Sequence, residues 1–164
     1  MLCKVSFLGK QDVKSYNDKV TFVTIKGCLD IPVPIPIIVD NWIKDYLKNS
    51  KITFEYIKYT GGYIIGTTGT SKCSDKDTYD LVMGERIAEA RAKMALYRFM
   101  ELLCKKMYIF YKNVLDGESD FIITVSSEKP CLYNVYLKYG MLYDREKEHL
   151  RDLINGQSNA NSKN

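Results

Sequence analysis

The chain has 164 residues, 46% of them hydrophobic and 27% charged, with a formal net charge of +4. Length and composition suit one globular domain that needs neither disulfides nor a structural metal, and they exclude a wholly disordered chain. The charge excess is mild, so binding a polyanion requires the cations to be gathered on one face.

The five cysteines, Cys3, Cys28, Cys73, Cys104 and Cys131, are odd in number and far apart, with no CxxC pair. They read as free thiols in a reducing compartment. Met1–Val5 lacks the apolar stretch of a signal peptide, and no apolar run approaches the roughly 20 residues of a membrane span. The expectation is a cytoplasmic protein with no membrane partner. No cofactor fingerprint or metal-ligand spacing occurs, so no cofactor and no metal are expected.

In chain order, Cys3, Val5 and Phe7 alternate with Lys4 and Ser6 and predict a strand, followed by Gly9-Lys10 and a polar link from Gln11 to Lys19. Val20–Ile25 is rich in β-branched residues and predicts a second strand, ended by Gly27. Ile31–Val39 then interleaves branched residues with Pro32, Pro34 and Pro36. Proline cannot donate to a ladder, so this segment predicts an extended strap or sheet edge with Ile31, Val33, Ile35 and Ile37 on one face. As a docking edge it nominates Ile35, Pro36 and Trp42 for protein binding; as a plain strap it packs on the core. Asp40 is placed to cap a short helix carrying Trp42, Ile43, Tyr46 and Leu47 on one side. Lys51–Tyr59, the turn Thr60-Gly61-Gly62 and Tyr63–Ile65 predict a hairpin.

Gly66–Lys72 combines glycines, hydroxyls and a lysine. It lacks the spacing of a GxxxxGK[ST] phosphate loop. It reads as a connecting loop, with Gly69, Ser71 and Lys72 as candidates for anion contact. Asp75, Asp77 and Asp80 do not continue a calcium-loop pattern. Ser74 with Asp77, or Asp80 alone, offers a helix cap instead. The helix they introduce is predicted from Leu81 to near Tyr111. Gly84, Ala88, Ala92, Ala95 and Phe99 form its packing stripe, small residues first, with Leu102 and Leu103 beyond. Glu89 and Lys93 stand four apart in the favourable order. Arg91, Arg98 and Lys105 recur every seven residues, so they share a face and are the nucleic-acid candidates; a solvated helix face is the alternative reading.

The central segment resembles a pattern in small proteins of bacteriophages and related mobile elements. The resemblance rests on Lys72-Cys73, Asp77, Tyr79-Asp80, Gly84, Ile87-Ala88 and Arg91-Ala92, about one sixth of the chain. The proline usual between the cysteine and aspartate is absent, and Tyr79 stands where phenylalanine is common. That group carries no established activity, so the resemblance implies a phage or mobile-element origin and a bacterial host cell, without a catalyst or ligand.

Further along, Asp116-Gly117 marks a turn and Phe121–Val125 predicts a strand. Cys131, Tyr133 and Val135 alternate and predict a last strand reaching Tyr139, ended by Gly140. A short helix from Asp144 to Ile154 is predicted to stop at Gly156, followed by a polar disordered tail over residues 157–164. His149, the single histidine, lies in a charged run without a nucleophile or ligand motif nearby.

The predicted architecture is one α+β domain over residues 1–156: a mainly antiparallel sheet packed against one long central helix, with shorter helices. Three functional classes follow. The first is a non-enzymatic accessory protein binding a host or phage protein, with self-association open. The second is nucleic-acid binding through the basic face of the central helix. The third is a small enzyme using residues 66–80.

Overall fold

A computed structural model describes residues 4–16, 19–31, 35–57, 62–73, 80–115 and 129–161. Four antiparallel strands form a sheet in the order β1-β2-β4-β3, with β1 at Lys4–Tyr16, β2 at Val20–Asp30, β3 at Ile52–Tyr56 and β4 at Tyr63–Lys72. Three helices accompany it: α1 at Ile37–Lys48, α2 at Leu81–Leu115 and α3 at Lys129–Asn161. The α+β class and the antiparallel sheet expected from the pattern are what the chain adopts.

The two faces of the sheet differ, and β2 shows why. Thr21, Val23, Ile25, Gly27 and Leu29 are buried, while Phe22, Thr24 and Cys28 are half-buried and Lys26 is exposed. Strand side chains alternate between faces, so this period of two buries one face and leaves the other only partly covered among the described residues. β4 repeats the pattern, with Ile65, Thr67, Gly69 and Ser71 on the buried face. α2 packs there against β2 and β4, and α1 and α3 pack against α2.

β1 is longer than predicted. Gln11–Tyr16, expected as a polar link, continues the strand, with Asp12 opposite Thr24 and Tyr16 opposite Val20. Polar sequence and two register shifts, between Phe7 and Gly9 and between Lys10 and Asp12, suit an edge strand that must avoid pairing with other chains.

Residues 66–72 are not a loop. They extend β4 along the whole length of β2. Gly69 is there for approach: a Cβ on it would overlap the Ala88 carbonyl and lie 2.5 Å from the Ala92 nitrogen. The small-residue stripe Ala88 and Ala92 therefore lies directly on the β4 backbone, and the Thr67 hydroxyl donates to the Ala92 carbonyl at 3.0 Å. At the start of α2, Asp80 Oδ1 accepts from the Met83 amide at 3.1 Å, the expected cap. Ser74 and Asp77 lie outside the described residues, as do Pro32 to Pro34.

α1 begins before Asp40. Pro36 holds the N-cap position, and its carbonyl accepts from the amides of Val39 and Asp40, each at 2.9 Å. Asp40 instead sits in the first turn and pairs with Lys44 at 2.6 Å. Trp42 stacks on the buried Phe99 with ring centres 6.1 Å apart, and Tyr46 and Phe54 complete this aromatic core.

The C-terminal prediction requires the largest correction. Cys131–Tyr139 is helical rather than a strand, and α3 runs unbroken through Gly140 and Gly156 to Asn161, into the segment expected as a disordered tail. Leu132 and Tyr139, seven residues apart, are both buried, and Val135, Tyr136, Leu142 and Tyr143 lie between buried and exposed on the same side. That spacing is helical, and it outweighs the short alternation at Cys131, Tyr133 and Val135. α2 and α3 form an antiparallel pair tied by Tyr97 with Tyr139 and Tyr108 with Tyr133. The strand predicted at Phe121–Val125 lies outside the described residues. Among the described residues, no helix is long and apolar enough to cross a membrane.

Candidate nucleic-acid interface

The structure separates the three predicted basic helix residues, although all are exposed. Arg98 Nη1 pairs with Glu101 Oε2 at 2.7 Å, and its guanidinium lies 5.6 Å from the Tyr143 ring centre. The Lys105 ammonium lies 5.7 Å from the Tyr136 ring centre. Both are drawn into the seam between α2 and α3. Arg91 turns the other way, toward the sheet, and donates from Nη1 to the Thr70 carbonyl at 2.6 Å.

The proline-strap candidates face inward. Ile35 and Trp42 are half-buried against the core, and Lys106 lies over the Trp42 ring at 5.1 Å. Pro36 is half-buried at the helix start. What stands out from this region is instead Ile37, 81% exposed, and Ile38, 65% exposed.

The anion-loop candidates are divided by the strand. Gly69 and Ser71 point to the buried face beneath α2, whereas Lys72 is exposed on the opposite one. An amide-lined concavity does not form, because the segment is extended.

The sheet face opposite α2 holds half-buried and exposed positions among the described residues, and no local sequence pattern marks it. Cross-strand register arranges it in rows, since residues directly opposite one another share a face. Val20 stands beside Lys72. Lys14, Phe22 and Thr70 form the next row, followed by Asp12, Thr24 and Thr68, then Lys26 and Gly66 with Thr53. Lys51 joins the second row by donating from Nζ to Thr70 Oγ1 at 3.2 Å. Thr24 and Thr68 share a hydroxyl hydrogen bond at 3.0 Å. Lys14, Lys26, Lys51 and Lys72 are all exposed.

Thr70 joins this face to the helix layer. It receives Lys51 on its hydroxyl and Arg91 on its carbonyl. β3 begins only at Ile52, opposite Thr67, so among the described residues the end of β4 extends past β3 as a sheet edge. The Thr68 amide donates to the Lys51 carbonyl across that edge. By the two-residue period of a strand, the amides of Thr70 and Lys72 point the same way. Two cations and two backbone amides thus converge beside one threonine. Lys19 adjoins this end of the sheet, its carbonyl accepting from the Cys73 amide at 2.7 Å.

A polar cleft of about 570 Å³ lies between α2 and α3, lined by Tyr97, Arg145, Glu146, His149 and Asp152 among others. His149 Nδ1 lies 3.5 Å from Glu146 Oε1. Burial, first, and the nearby Glu146 carboxylate push the Tyr97 phenol above its ordinary range. Among the described residues, no group of three or more His, Cys, Asp or Glu is placed to hold a metal ion.

The architecture is therefore an α+β fold in which α2 covers one face of the antiparallel sheet and, among the described residues, the basic corner lies on the other face at the β4 edge. No protein-family model, curated protein or solved structure matches the chain.

Proposed function

We propose that the protein is a non-enzymatic binding module that engages nucleic acid along its phosphate backbone through the basic corner of the sheet face opposite α2. The observation that carries this reading is the meeting of Lys51 and Arg91 on Thr70, from the sheet and from the helix layer, on a face whose register also places the exposed Lys14, Lys26 and Lys72. Lysines and threonine hydroxyls on a flat face donate to phosphate oxygens without reading base edges, which gives affinity rather than sequence preference. Because phosphate contacts release counterions, a salt series tests the reading. Replacing Lys26, Lys51 and Lys72 by Gln removes three such contacts and is expected to reduce the slope of log affinity against log salt by about 2 for a single strand. Arg98→Ala with Lys105→Ala is expected to leave the slope nearly unchanged. Equal weakening by both sets of substitutions would move the interface to the helix row.

A second reading keeps a protein as the partner, in the host or phage setting that the central-segment resemblance implies. It is favoured by the exposure of Ile37, Ile38 and Tyr56, which is 58% exposed. Large apolar side chains held in water are costly and are commonly covered by a partner. Under this reading, Ile37→Asp with Ile38→Asp abolishes capture of that partner and leaves nucleic-acid affinity intact.

A further inference from the structure

We infer that the corner at Thr70 takes the terminal phosphomonoester of a nucleic-acid strand, with Lys51 and Arg91 holding its oxygens and the strand running from there toward Lys26. The inference rests on the proposed phosphate-binding role of the face and adds which part of the nucleic acid the corner receives.

Lys51 and Arg91 reach one residue from different elements. Lys51 precedes β3 and donates from Nζ to Thr70 Oγ1 at 3.2 Å, and Arg91 belongs to α2 and donates from Nη1 to the Thr70 carbonyl at 2.6 Å. Both bonds end on the same residue, so the ammonium and the guanidinium lie within roughly 10 Å of each other. Both side chains are exposed. Among the described residues, neither forms an ion pair with a carboxylate; the ion pairs there belong to Lys44, Lys48, Lys93, Arg98 and His149. Two like charges gathered in this way repel, and an anion seated between them relieves the repulsion.

Charge and donor supply select the kind of phosphate. An ammonium and a guanidinium carry many more N–H donors than the single one that Thr70 takes from each. An internal phosphodiester brings a single negative charge. A terminal phosphomonoester brings about −1.5 to −2 at neutral pH and a third strong acceptor oxygen, which matches two cations approaching from different sides. The planar guanidinium engages such a group as a bidentate fork, and its bond to Thr70 fixes the plane of that fork in advance. Position agrees with a strand end. Thr70 lies where β4 extends past β3 among the described residues, with the exposed Lys72 two residues on. Lys26 stands opposite Gly66, about 13 Å back along β4 by the strand rise. That separation makes Lys26 a distinct contact, placed for an internal phosphate of the same strand.

The test crosses the end of the strand with the corner. Fluorescence anisotropy measures binding of oligothymidylates of equal length, labelled on an internal base and ending in a 5′-phosphate, a 3′-phosphate or hydroxyls only. The proteins are wild type, Lys51→Gln/Arg91→Gln and Lys26→Gln, with thermal unfolding of each to check that the sheet is intact. Wild type is expected to prefer one phosphate-ended strand over the hydroxyl-ended strand by about tenfold, the scale of one added charge-assisted hydrogen bond. Lys51→Gln/Arg91→Gln abolishes that preference. Lys26→Gln weakens every probe alike and keeps the preference. If wild type binds all probes equally while Lys26→Gln weakens them, end recognition is refuted and the phosphate-binding face stands. A preference that survives in Lys51→Gln/Arg91→Gln, or that Lys26→Gln abolishes equally, also refutes the assignment to this corner. If inorganic phosphate competes as strongly as the phosphate-ended strand, the ligand is the free anion and the strand-end inference is overturned. If both variants bind every probe as tightly as wild type, the face itself is refuted, and this inference with it.

Discussion

Gly69→Ala is expected to be among the most damaging small substitutions in the sheet. The reason is contact, not backbone conformation, since Gly69 adopts no left-handed φ. A methyl group there would overlap the Ala88 carbonyl, lie 2.5 Å from the Ala92 nitrogen and 3.0 Å from the Ala88 carbonyl carbon. All three atoms belong to the α2 backbone, so no side-chain rotation makes room and the helix must lift from the sheet. Overpacking typically costs 1–3 kcal/mol, and rigid backbone places this case near the upper end, about 3 kcal/mol. Lifting α2 also strains the Thr67 hydroxyl bond to Ala92, worth about another 1 kcal/mol. The expected loss is therefore about 3–4 kcal/mol, a large part of the roughly 5–15 kcal/mol that a domain possesses. Urea unfolding followed by circular dichroism reads this as a midpoint lowered by about 2 M, for a slope near 2 kcal/mol per molar. Gly66→Ala is the control. Its methyl meets the Thr53 hydroxyl, a group able to rotate away, and otherwise lies 3.8 Å from Lys26 Cγ. It is expected to cost distinctly less. A Gly69→Ala midpoint equal to that of wild type would refute the close seating of α2 on β4.

Other expectations follow from single features. Gly140→Ala meets nothing closer than 3.7 Å, at Glu101, and replaces a glycine inside α3, so it is expected to stabilise by about 1 kcal/mol in the same urea assay. Asp80→Ala removes the acceptor for the Met83 amide and is expected to cost about 1 kcal/mol, with Asp80→Asn close to neutral. The phenols of Tyr46, Tyr63, Tyr97 and Tyr111 are pushed up chiefly by burial. The folded state then holds their protons more tightly than the unfolded chain. Their contribution is complete below the ordinary tyrosine range near pH 10 and is lost as pH rises through the higher folded values. Urea midpoints are expected to fall with increasing alkalinity above about pH 10, and the fall is expected to shrink in Tyr111→Phe; a midpoint that rises there would contradict the assignment.

Sequence pattern carried the helix–sheet layer well and the sheet's outer face poorly, for physical reasons. Asp80, Ala88, Ala92 and Phe99 lie within one element, where a cap and a repeat of three to four residues specify both the start of the helix and its buried side. Gly69 suggests loop chemistry in the sequence, because glycine among hydroxyls usually marks a turn. Its actual role, to let a helix backbone approach, depends on Ala88 and Ala92, about twenty residues away. The start of α3 resembles a strand in sequence because tyrosine and valine favour strands and a five-residue window contains the alternation of Tyr133 and Val135. The competing seven-residue spacing of Leu132 and Tyr139 appears only in a longer window.

The basic corner is not legible in the sequence for a related reason. Lys14, Lys26, Lys51 and Lys72 are scattered through the sequence, and none belongs to a run. Only the pairing of β1, β2 and β4, and the short start of β3, brings them together. The seven-residue row of Arg91, Arg98 and Lys105 was legible, but helical periodicity says nothing about neighbours. Glu101, Tyr143 and Tyr136 engage two of its members, leaving Arg91 to join the sheet.

The most direct test of this sheet face is a nuclear magnetic resonance titration of the isotope-labelled protein with a short single-stranded oligonucleotide. The expected amide shifts gather on Phe22–Lys26 and Thr68–Lys72, together with Lys51 and Arg91, while Leu132–Tyr143 in α3 stays unmoved. Shifts confined to the seam between α2 and α3, with the β2 and β4 signals unchanged, would contradict the assignment of nucleic-acid binding to the sheet.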